Sequence, residues 1–580
     1  MAAENKLSPL ALQELNSRLS STGHQLITRE SDPAKYARCI ERWSMAAVKP
    51  AGAVLIPESI DAIFIAVNYA AQKSIDLAVR GGGHSTAGSS STDGGLLIDL
   101  GSSTRFTQVK VDKTKNHLIA GVGANWGHVD EAGFATGLAT VGGTVSDTGI
   151  GGLTLGAADG KLLTVSEEQN AQLFWALSGA GHNFGVAVSF TYQGHAYGTG
   201  PVSKRIAGAE GGQAYAGTLV FPVSQLNQVI AVLNRLFGAQ GTLKGGAGAG
   251  GFALARSPPE GGPVLVIVPV VWLNDKKSGD IALKELFDLG PIVEDMKMMD
   301  YPGINNIFQF KKGMRGTMNC CAFNLPIREE FVQRLLESYE DFTESVRYSA
   351  RSVLQFDLFD PTVVATKASN TDMAFHNRGY HFNAAAKVFW HSTEHDVRCR
   401  QWARDIAAIF KAELKRDEKA SNKSDSDPLM MYGNLEYYDE KAGDVFGTNL
   451  TKLQKLKAQY DPTNMFDKHF IVDQHGTLTG WVLIRKCELG YQFGPLYAER
   501  QDVASLLVHA AIESLEDKGA SLIAETWHAN PAAIPIFERL GWKWASTFYR
   551  MWFKGRVPAA QAPGGKAERA MYAVFDAAQG

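Results

Sequence analysis

Apolar residues in the first two hundred positions switch repeatedly between helical and strand-like spacing. Residues 58–73 follow a proline and repeat apolar side chains three and four positions apart, which predicts an amphipathic helix. Short apolar runs at 75–80, 96–100 and 117–124 are bounded by glycine or polar residues and predict strands. Residues 126–137 predict another short helix. The pattern indicates a region in which helices and strands alternate.

The middle of the chain, residues 206–428, predicts a second mixed region. It contains an amphipathic helix within 223–237 and a strongly apolar strand at 263–273. We expect further helices near 276–288, 327–346 and 394–415, and strands near 353–366 and 377–390. This mixture of long helices and strands is typical of an α+β domain. Residues 416–428 are polar and charged, and predict an exposed loop.

After residue 429 the pattern changes again. A predicted helix ends at Asp461-Pro462, and short β-like and α-like segments then alternate to about residue 540. The last hundred residues therefore look like a separate α/β segment.

Composition narrows the function classes. The chain has 580 residues, 57 basic and 60 acidic, a net charge of −3 and no basic stripe, which disfavours nucleic-acid and membrane-surface binding. Its five cysteines form no CxxC pair and have no zinc spacing, so no metal site is expected. The N-terminus reads as a short amphipathic helix without a signal-peptide core, and we expect a cytoplasmic protein.

Glycine is concentrated in two stretches, RGGGHS at 80–85 and GTVSDTGIGGLTLG at 143–156. Glycine lets a ligand approach the backbone closely, and successive N–H groups can cradle a phosphate. Taken alone, the first stretch is also compatible with a hairpin turn carrying a surface histidine. The second stretch favours a ligand, because a long run of small residues is costly in backbone entropy unless binding or close packing compensates.

A dinucleotide site of the Rossmann type is not supported. The nearest glycine pattern, GAGHNFG at 179–185, has the wrong spacing and precedes a strand rather than a helix.

The order RGGGHS, GTVSDTGIGGLTLG, LFWALSGAGHNFGVAVSF resembles the vanillyl-alcohol-oxidase-type FAD domain. YGNLEYY…FGTN…KLQKLKAQYDPTNMF resembles the C-terminal signature of berberine-bridge-enzyme-like oxidoreductases, and TDMAFHNRGYHFN resembles a substrate-domain strand of that family. The resemblance covers roughly residues 35–470. It implies an α+β fold with a two-subdomain FAD-binding region and an antiparallel-sheet substrate domain. The implied division is an N-terminal helical extension (1–34), FAD-binding domain (35–205), substrate domain (206–428), flavin-contacting segment (429–467) and a final segment (468–580).

The resemblance also implies site residues. The histidine of RGGGHS, here His84, would carry the flavin covalently. A second link from a cysteine, present in some members, is not expected because Ala139 stands at that position. The positions expected to contact FAD are His84, Arg80, Gly81, Gly82, Gly83, Ser85, Gly143, Thr144, Ser146, Gly149, Gly151, Gly152, Asn183, Phe184, Gly185 and Asn434.

The implied reaction is hydride transfer from a small, hydrophobic metabolite to the flavin, in secondary metabolism, with oxygen or another acceptor reoxidising the flavin. A protein base must remove the accompanying proton. Tyr380 and Tyr432 are candidates, although each is compatible with a purely structural role.

Two features depart from the family pattern. After Gly156 the chain runs directly into AADGK, without the glycines, helix and strand that family members have there, which puts FAD binding in question. The final segment resembles the later part of a GNAT acetyltransferase, with Asn530 at a position that contacts CoA and Phe537 where many members have a proton-donating tyrosine. An acetyl-CoA-dependent N-acetyltransferase, or an inactive fusion, is therefore the alternative.

Overall fold

The computed structural model describes most of the chain. The described residues are 6–153, 163–197, 212–243, 248–257, 261–307, 312–346, 348–366, 369–420, 445–461, 471–472, 478–487, 490–498, 504, 507–508, 511–512, 521–524, 533–538 and 571–573. The chain divides into a larger compact unit, Asn5–Leu450, and a smaller one made mainly of Thr451–Gly580. Each unit is described by itself.

The larger unit mixes helices and strands throughout. Its helices α1 to α13 span Pro9–Ser20, Pro33–Ile40, Ile60–Lys73, Trp126–Phe134, Ile150–Leu153, Ala171–Ala180, Leu226–Phe237, Lys276–Ala282, Lys284–Phe287, Tyr301–Ile304, Glu329–Ser345, Thr362–Thr366 and Asp396–Ala420. Its strands β1 to β15 span Ala53–Leu55, Leu77–Arg80, Leu96–Asp99, Val109–Asp112, His117–Gly121, Leu138–Ala139, Ser189–Gln193, His195–Ala196, Gln213–Pro222, Gly248–Arg256, Val264–Trp272, Val293–Asp300, Arg315–Phe323, Val353–Leu358 and Phe382–Trp390.

The N-terminal part of this unit is built on small sheets. Strands β1, β3 and β2 form a parallel sheet in that order, and β4, β5 and β7 form an antiparallel one. Helix α3 connects β1 to β2 and begins where the Ser59 side chain accepts a hydrogen bond from the Ala62 N–H. It ends at Ser74, whose φ of 53° reverses the chain into β2. Strand β2 then delivers the first glycine stretch at its carboxyl end.

A seven-stranded antiparallel sheet dominates the rest of the unit, in the order β12-β9-β11-β10-β14-β15-β13. Side chains alternate between its faces because the strand period is two residues. Leu354, Phe356 and Leu358 point into a hydrophobic core shared with helices α7, α11 and α13. Gln355 and Asp357 therefore point to the opposite face.

The sheet is joined to the N-terminal part near residue 44. The Ser44 hydroxyl donates to the Gly316 carbonyl at 2.7 Å and accepts from the Gly316 N–H at 2.9 Å, and the Met45 N–H donates to the Met314 carbonyl. Ser44 is fully buried and Gly316 is buried as well, so these bonds are shielded from water. They fix the start of strand β13 against the segment that precedes β1.

The mixed α+β architecture predicted from the sequence is confirmed, and most predicted elements are present. Two expectations are wrong. The predicted strand 353–366 ends at Leu358, and Thr362–Thr366 is helical. The helix expected to end near 415 continues to Ala420, so the first five residues of the predicted 416–428 loop are helical. That stretch, rich in Lys, Glu and Ala, suits an exposed helix as well as a loop.

The smaller unit has α14 (Leu450–Tyr460, beginning at the boundary), α15 (Ala533–Glu538) and strands β16 (Ile471–Val472), β17 (Leu478–Cys487), β18 (Gly490–Ala498), β19 (Ser521–Ala524) and β20 (Met571–Ala573). The order is β16-β17-β18-β19, with β20 also paired to β18. This agrees with the predicted α/β segment. In the described parts of both units, every helix is too short or too polar to cross a bilayer.

Candidate functional site

The two glycine stretches meet backbone to backbone. A Cβ on Gly82 would lie 2.4 Å from the Gly149 nitrogen, and a Cβ on Gly149 would lie 2.3 Å from the Gly82 nitrogen. Any side chain at either position would collide with main-chain atoms that cannot rotate away. The two stretches are therefore glycine-rich because they pack directly on each other.

Val122 links these two stretches to a third glycine-containing stretch, GAGHNFG at 179–185. A Cβ on Gly81 would lie 3.2 Å from the Val122 carbonyl oxygen, and one on Gly151 would lie 2.8 Å from a Val122 methyl. The Val122 N–H donates to the Val188 carbonyl, just after the GAGHNFG turn. The three motifs that are far apart in sequence thus converge on one residue.

His84 lies where the stretches meet, with 17% of its side chain exposed. Its Nε2 is 3.4 Å from an Asp147 carboxylate oxygen, and its Nδ1 is 3.3 Å from the Gly82 carbonyl oxygen. The ring stacks on Trp43 with 6.2 Å between centroids and 27° between planes. The backbone N–H of Trp43 donates a hydrogen bond to the Gly83 carbonyl, which fixes the position of Trp43.

The other side of Trp43 faces the large sheet. Its ring centroid is 5.2 Å from that of Phe389 on β15, and the two rings form a buried cluster with Met314, against which Met318 packs. His84 is consequently one ring away from the sheet face opposite the helices.

Several predicted site residues serve the glycine loops rather than pointing into open space. The Arg80 guanidinium donates to both carboxylate oxygens of the fully buried Asp99, at 3.0 and 2.9 Å. The Ser85 hydroxyl accepts from the N–H and hydroxyl of Ser89. These contacts hold the RGGGHS loop in its conformation.

In the second stretch, the Ser146 hydroxyl donates to the Asn306 amide oxygen at 2.6 Å. A Cβ on Gly143 would meet the Trp126 ring at 2.5 Å, whereas one on Gly152 would meet nothing within 4 Å. Thr144 is exposed. The chain thus packs tightly at one end of the stretch and opens at Gly152.

The third stretch turns sharply after α6. Asn183 donates its side-chain N–H to the Ala180 carbonyl, Phe184 is buried, and Gly185 has a φ of 148°. Gly179 has a φ of 140°, and a Cβ there would lie 2.1 Å from the Phe375 nitrogen. This turn is therefore shaped to receive residues 371–378.

Residues 371–378 are held from two sides. The Trp175 indole N–H donates to the Thr371 carbonyl at 2.7 Å, and the Phe375 N–H donates to the Ser178 carbonyl. From the FGTN motif, the Asn449 side chain donates to the carbonyls of Asn370, Met373 and Ala374. The motif that resembles the family signature thus holds this loop against the turn at 179–185.

The two candidate bases differ in what the structure says of them. Tyr380 is 59% exposed, at the end of that loop. Tyr432 and Asn434 lie outside the described residues, as do Asn530 and residues 154–162 with the shortened stretch after Gly156. Their roles stay predictions.

A row of polar side chains on the sheet, which begins at the buried Lys387, was not predicted from the sequence. Lys387 on β15 donates to the Gln355 amide oxygen at 2.7 Å, and the Gln355 amide donates to Asp357 at 2.6 Å. Burial lowers the pKa of Lys387 to about 8 and raises that of Asp357. Lys387 lies on the same face of the sheet as Phe389. Met318 on the neighbouring strand β13 is paired with Lys387 and packs on the Trp43 cluster. The available signal was a single lysine inside the otherwise apolar strand FNAAAKVFW.

A buried carboxyl anchors the second glycine stretch. Asp130 on α4 is 3% exposed and accepts a 2.6 Å hydrogen bond from the Asn305 side chain, while the Asn305 carbonyl accepts from the Ser146 N–H. Burial raises the pKa of Asp130 to about 6. The hydrogen bond from Asn305 lowers the pKa and offsets only part of this rise.

We expect Asp130→Asn to stabilise the protein above pH 7. A raised pKa means that the folded protein favours the neutral acid. The stability that neutral Asp130 contributes to the wild type is therefore complete below about pH 4 and is lost as the pH rises through 6. The amide keeps the acceptor for Asn305 and removes the charge, a gain of up to about 3 kcal/mol. Urea unfolding at pH 4 and pH 7.5 measures this. An equal difference between the two proteins at both pH values would contradict the assignment.

The residues fit a bound dinucleotide. Backbone from three glycine stretches lines the site, and the space beside Gly152 is open. Among the described residues, the Trp126 indole N–H and the hydroxyls of Ser90 and Ser91 are buried without a hydrogen-bond partner within the protein. Buried donors without a protein partner suit a polar ligand, and the Trp126 indole lies beside the Gly143 backbone of the second glycine stretch.

Family models match the chain in three places. An FAD binding domain matches residues 51–189, a "berberine and berberine like" model matches 431–469, and an acetyltransferase (GNAT) domain matches 458–562. The first two correspond to the glycine stretches and to the C-terminal signature. The third corresponds to the α/β segment.

Curated relatives span most of the chain. The FAD-linked oxidoreductase pgmH of Aspergillus terreus is 27% identical over 81% of this chain and 97% of its own length. The FAD-linked oxidoreductase hasG of Aspergillus fumigatus is 24% identical over 73% of this chain and 92% of its own.

Solved structures share the fold. Physcomitrella patens BBE-like 1 has a TM-score of 0.63 at 16% identity, covering 78% of this chain and 97% of that one. Glucooligosaccharide oxidase from Acremonium strictum, described with a 6-S-cysteinyl, 8α-N1-histidyl FAD, has a TM-score of 0.60 at 19% identity, covering 78% and 98%. Xylooligosaccharide oxidase from Myceliophthora thermophila has 0.61 at 18%, covering 78% and 97%. The resemblance inferred from the motifs is confirmed: the chain is similar to berberine-bridge-enzyme-like FAD-linked oxidoreductases, an FAD-dependent class of enzyme, and ends in a segment similar to a GNAT acetyltransferase.

Proposed function

We propose that the protein oxidises a small, hydrophobic metabolite with an FAD attached through His84, and that it acts in secondary metabolism. The observation that carries the proposal is the position of His84. It is largely buried where two glycine stretches meet, and one aromatic ring separates it from the face of the large sheet. A flavin bound there would extend along the boundary between the two parts of the larger unit.

Bound FAD would supply a hydride acceptor. The protein would supply the rest. Backbone N–H groups of the glycine stretches, with Gly81, Gly82 and Gly149 at their centre, would hold the phosphates and the ring edge. Trp43 and Phe389 would keep water from the attachment point, since both are buried.

Proton transfer needs a group beside the substrate. Tyr432 and Tyr380 remain our candidates from the family resemblance. The row of Lys387, Gln355 and Asp357 is a further candidate, because it is polar, its lysine is buried, and it lies on the sheet face that Phe389 shares. A lysine whose pKa is lowered toward neutrality can exchange a proton at the working pH.

A single covalent link fits this chain. Ala139, which stands where some family members have a second attachment cysteine, is buried on β6 and has no nucleophile. The names of the similar oxidases indicate small-molecule substrates, and we expect dioxygen or another acceptor to reoxidise the flavin.

Acid precipitation of the purified yellow protein tests the proposal. We expect the flavin absorbance of the wild type to stay with the pellet and that of His84→Ala to move to the supernatant, because acid unfolds the site but leaves a C–N bond intact. Trp43→Phe is a suitable control, since it disturbs the neighbouring ring and leaves the histidine in place. A colourless wild type that takes up no added FAD would refute the proposal.

A second function is favoured by one observation, the GNAT match over 458–562. An acyl-CoA-dependent N-acetyltransferase would use that segment, but Phe537, at a family proton-donor position, carries no exchangeable proton. Acetyl-CoA that raises the melting temperature of the smaller unit in a saturable way would support this function, since a ligand stabilises the fold that binds it.

A further inference from the structure

Asp147 is the charged residue that faces the outer edge of the His84 ring. It belongs to the second glycine stretch, two residues before Gly149, and so arrives at the histidine with the backbone that packs on Gly82. One carboxylate oxygen is 3.4 Å from His84 Nε2, and the other is 3.6 Å from Lys312 Nζ. The His84 contact is the main reason that the pKa of Asp147 lies below its ordinary value.

The two ring nitrogens of His84 have different neighbours. Nε2 faces the negatively charged carboxylate, whereas Nδ1 faces the neutral Gly82 carbonyl at 3.3 Å. A carbonyl oxygen only accepts, so the Nδ1 contact is a hydrogen bond when Nδ1 carries a proton, and the edge of the ring that holds Nε2 is the one next to the carboxylate. Stacking on Trp43 fixes the plane of the ring.

We propose that Asp147 is a positioning residue for flavin attachment: its carboxylate holds the Nε2 edge of the His84 ring and offsets the positive charge that the ring acquires as the bond to the flavin forms. This inference rests on the proposed attachment at His84. Among the described residues, Asp147 is the charged side chain seen next to the His84 ring. Lys312 contacts the other carboxylate oxygen of Asp147.

In the attachment step a C–N bond forms between a ring nitrogen of His84 and the methyl carbon at position 8 of the isoalloxazine. An N–H bond of the imidazole and a C–H bond of that methyl group break. The two protons and two electrons released pass to dioxygen, which becomes hydrogen peroxide. Asp147 stays beside the Nε2 edge of the ring while the ring carries the positive charge.

The test separates attachment from binding. Purified proteins are incubated in air with excess FAD, total bound flavin is read from the visible spectrum after desalting, and attached flavin is read from the acid pellet over time. We expect Asp147→Asn to bind as much flavin as the wild type but to attach it at least about tenfold more slowly, as is usual when the partner that orients a histidine is removed. Asp147→Glu should recover part of the rate, because it keeps the charge. Asp93→Asn makes the same change at an exposed site of the same domain and should attach flavin like the wild type.

Each outcome has a distinct meaning. Attachment by Asp147→Asn at the wild-type rate would overturn the inference, and so would equal defects in the Asn and Glu variants or a complete loss of flavin binding in Asp147→Asn. An acid-labile flavin in the wild type, or an acid-stable one in His84→Ala, would instead overturn the proposed attachment at His84. A slow Asp147→Asn that binds flavin normally, beside a partly recovered Asp147→Glu, supports the inference.

Discussion

Gly149→Ala is expected to weaken flavin binding by roughly 10- to 100-fold. The new methyl group would lie 2.3 Å from the Gly82 nitrogen, a main-chain atom held on one side by strand β2 and on the other by His84. The two glycine stretches must then move apart, and overpacking of this kind costs about 1–3 kcal/mol. Since about 1.4 kcal/mol corresponds to tenfold in affinity, the middle of that range gives the expected loss. The cost falls on the backbone that would hold the FAD.

Gly152→Ala is the matched control for this prediction. It adds the same methyl group in the same stretch, but nothing lies within 4 Å of it. Flavin bound per protein, measured by absorbance after desalting from a series of FAD concentrations, should fall for Gly149→Ala and stay near the wild-type value for Gly152→Ala. Equal binding by the two variants would show that contact between the stretches does not shape the site.

Trp43→Ala is expected to lower the free energy of unfolding of the larger unit by about 3–5 kcal/mol. Trp43 is only 6% exposed, stacks on His84 and packs against Phe389 and Met314. Its removal leaves a cavity between the N-terminal part and the sheet, bordered by backbone that the Ser44 bonds to Gly316 hold in place. Because the surroundings cannot collapse, the full cavity cost should appear.

Trp43→Phe retains a ring in the same slot and should cost much less. Guanidinium unfolding followed by far-UV circular dichroism compares the two variants. A loss for Trp43→Ala no greater than that for Trp43→Phe would mean that the cavity closes and that the aromatic bridge to the sheet contributes little.

Much of the flavin-binding part could be predicted because its determinants are local. The strand before RGGGHS, the helix 60–73 and the three glycine stretches are each visible within a few residues. Glycine is informative here since its conformational and steric roles leave few alternatives. The meeting of Gly82 with Gly149 could not be read in the same way, because it depends on which loops the fold brings together.

The sheet was harder to predict. Strands β12 and β13 were missed, since VEDMKMMD is an exposed, charged edge strand and RGTMNCCAF has no clear alternation. Without β13 the pairing of Met318 with Lys387 is invisible, and with it the position of the polar row next to the Trp43 cluster. Asp147 was passed over for a related reason: it lies 63 positions after His84, and no periodicity connects the two.

The join between Ser44 and Gly316 also sets the order of events during synthesis. Its two residues are 272 positions apart, and a ribosome adds about 5–20 residues per second, so the second follows the first by roughly 15–55 s. His84 and the glycine loops lie between these two residues in the sequence, so they are complete before the strand β13 that carries Gly316 exists. A nascent chain therefore presents its flavin loops uncovered to the surrounding solution, and the completed site closes only as the later strands arrive.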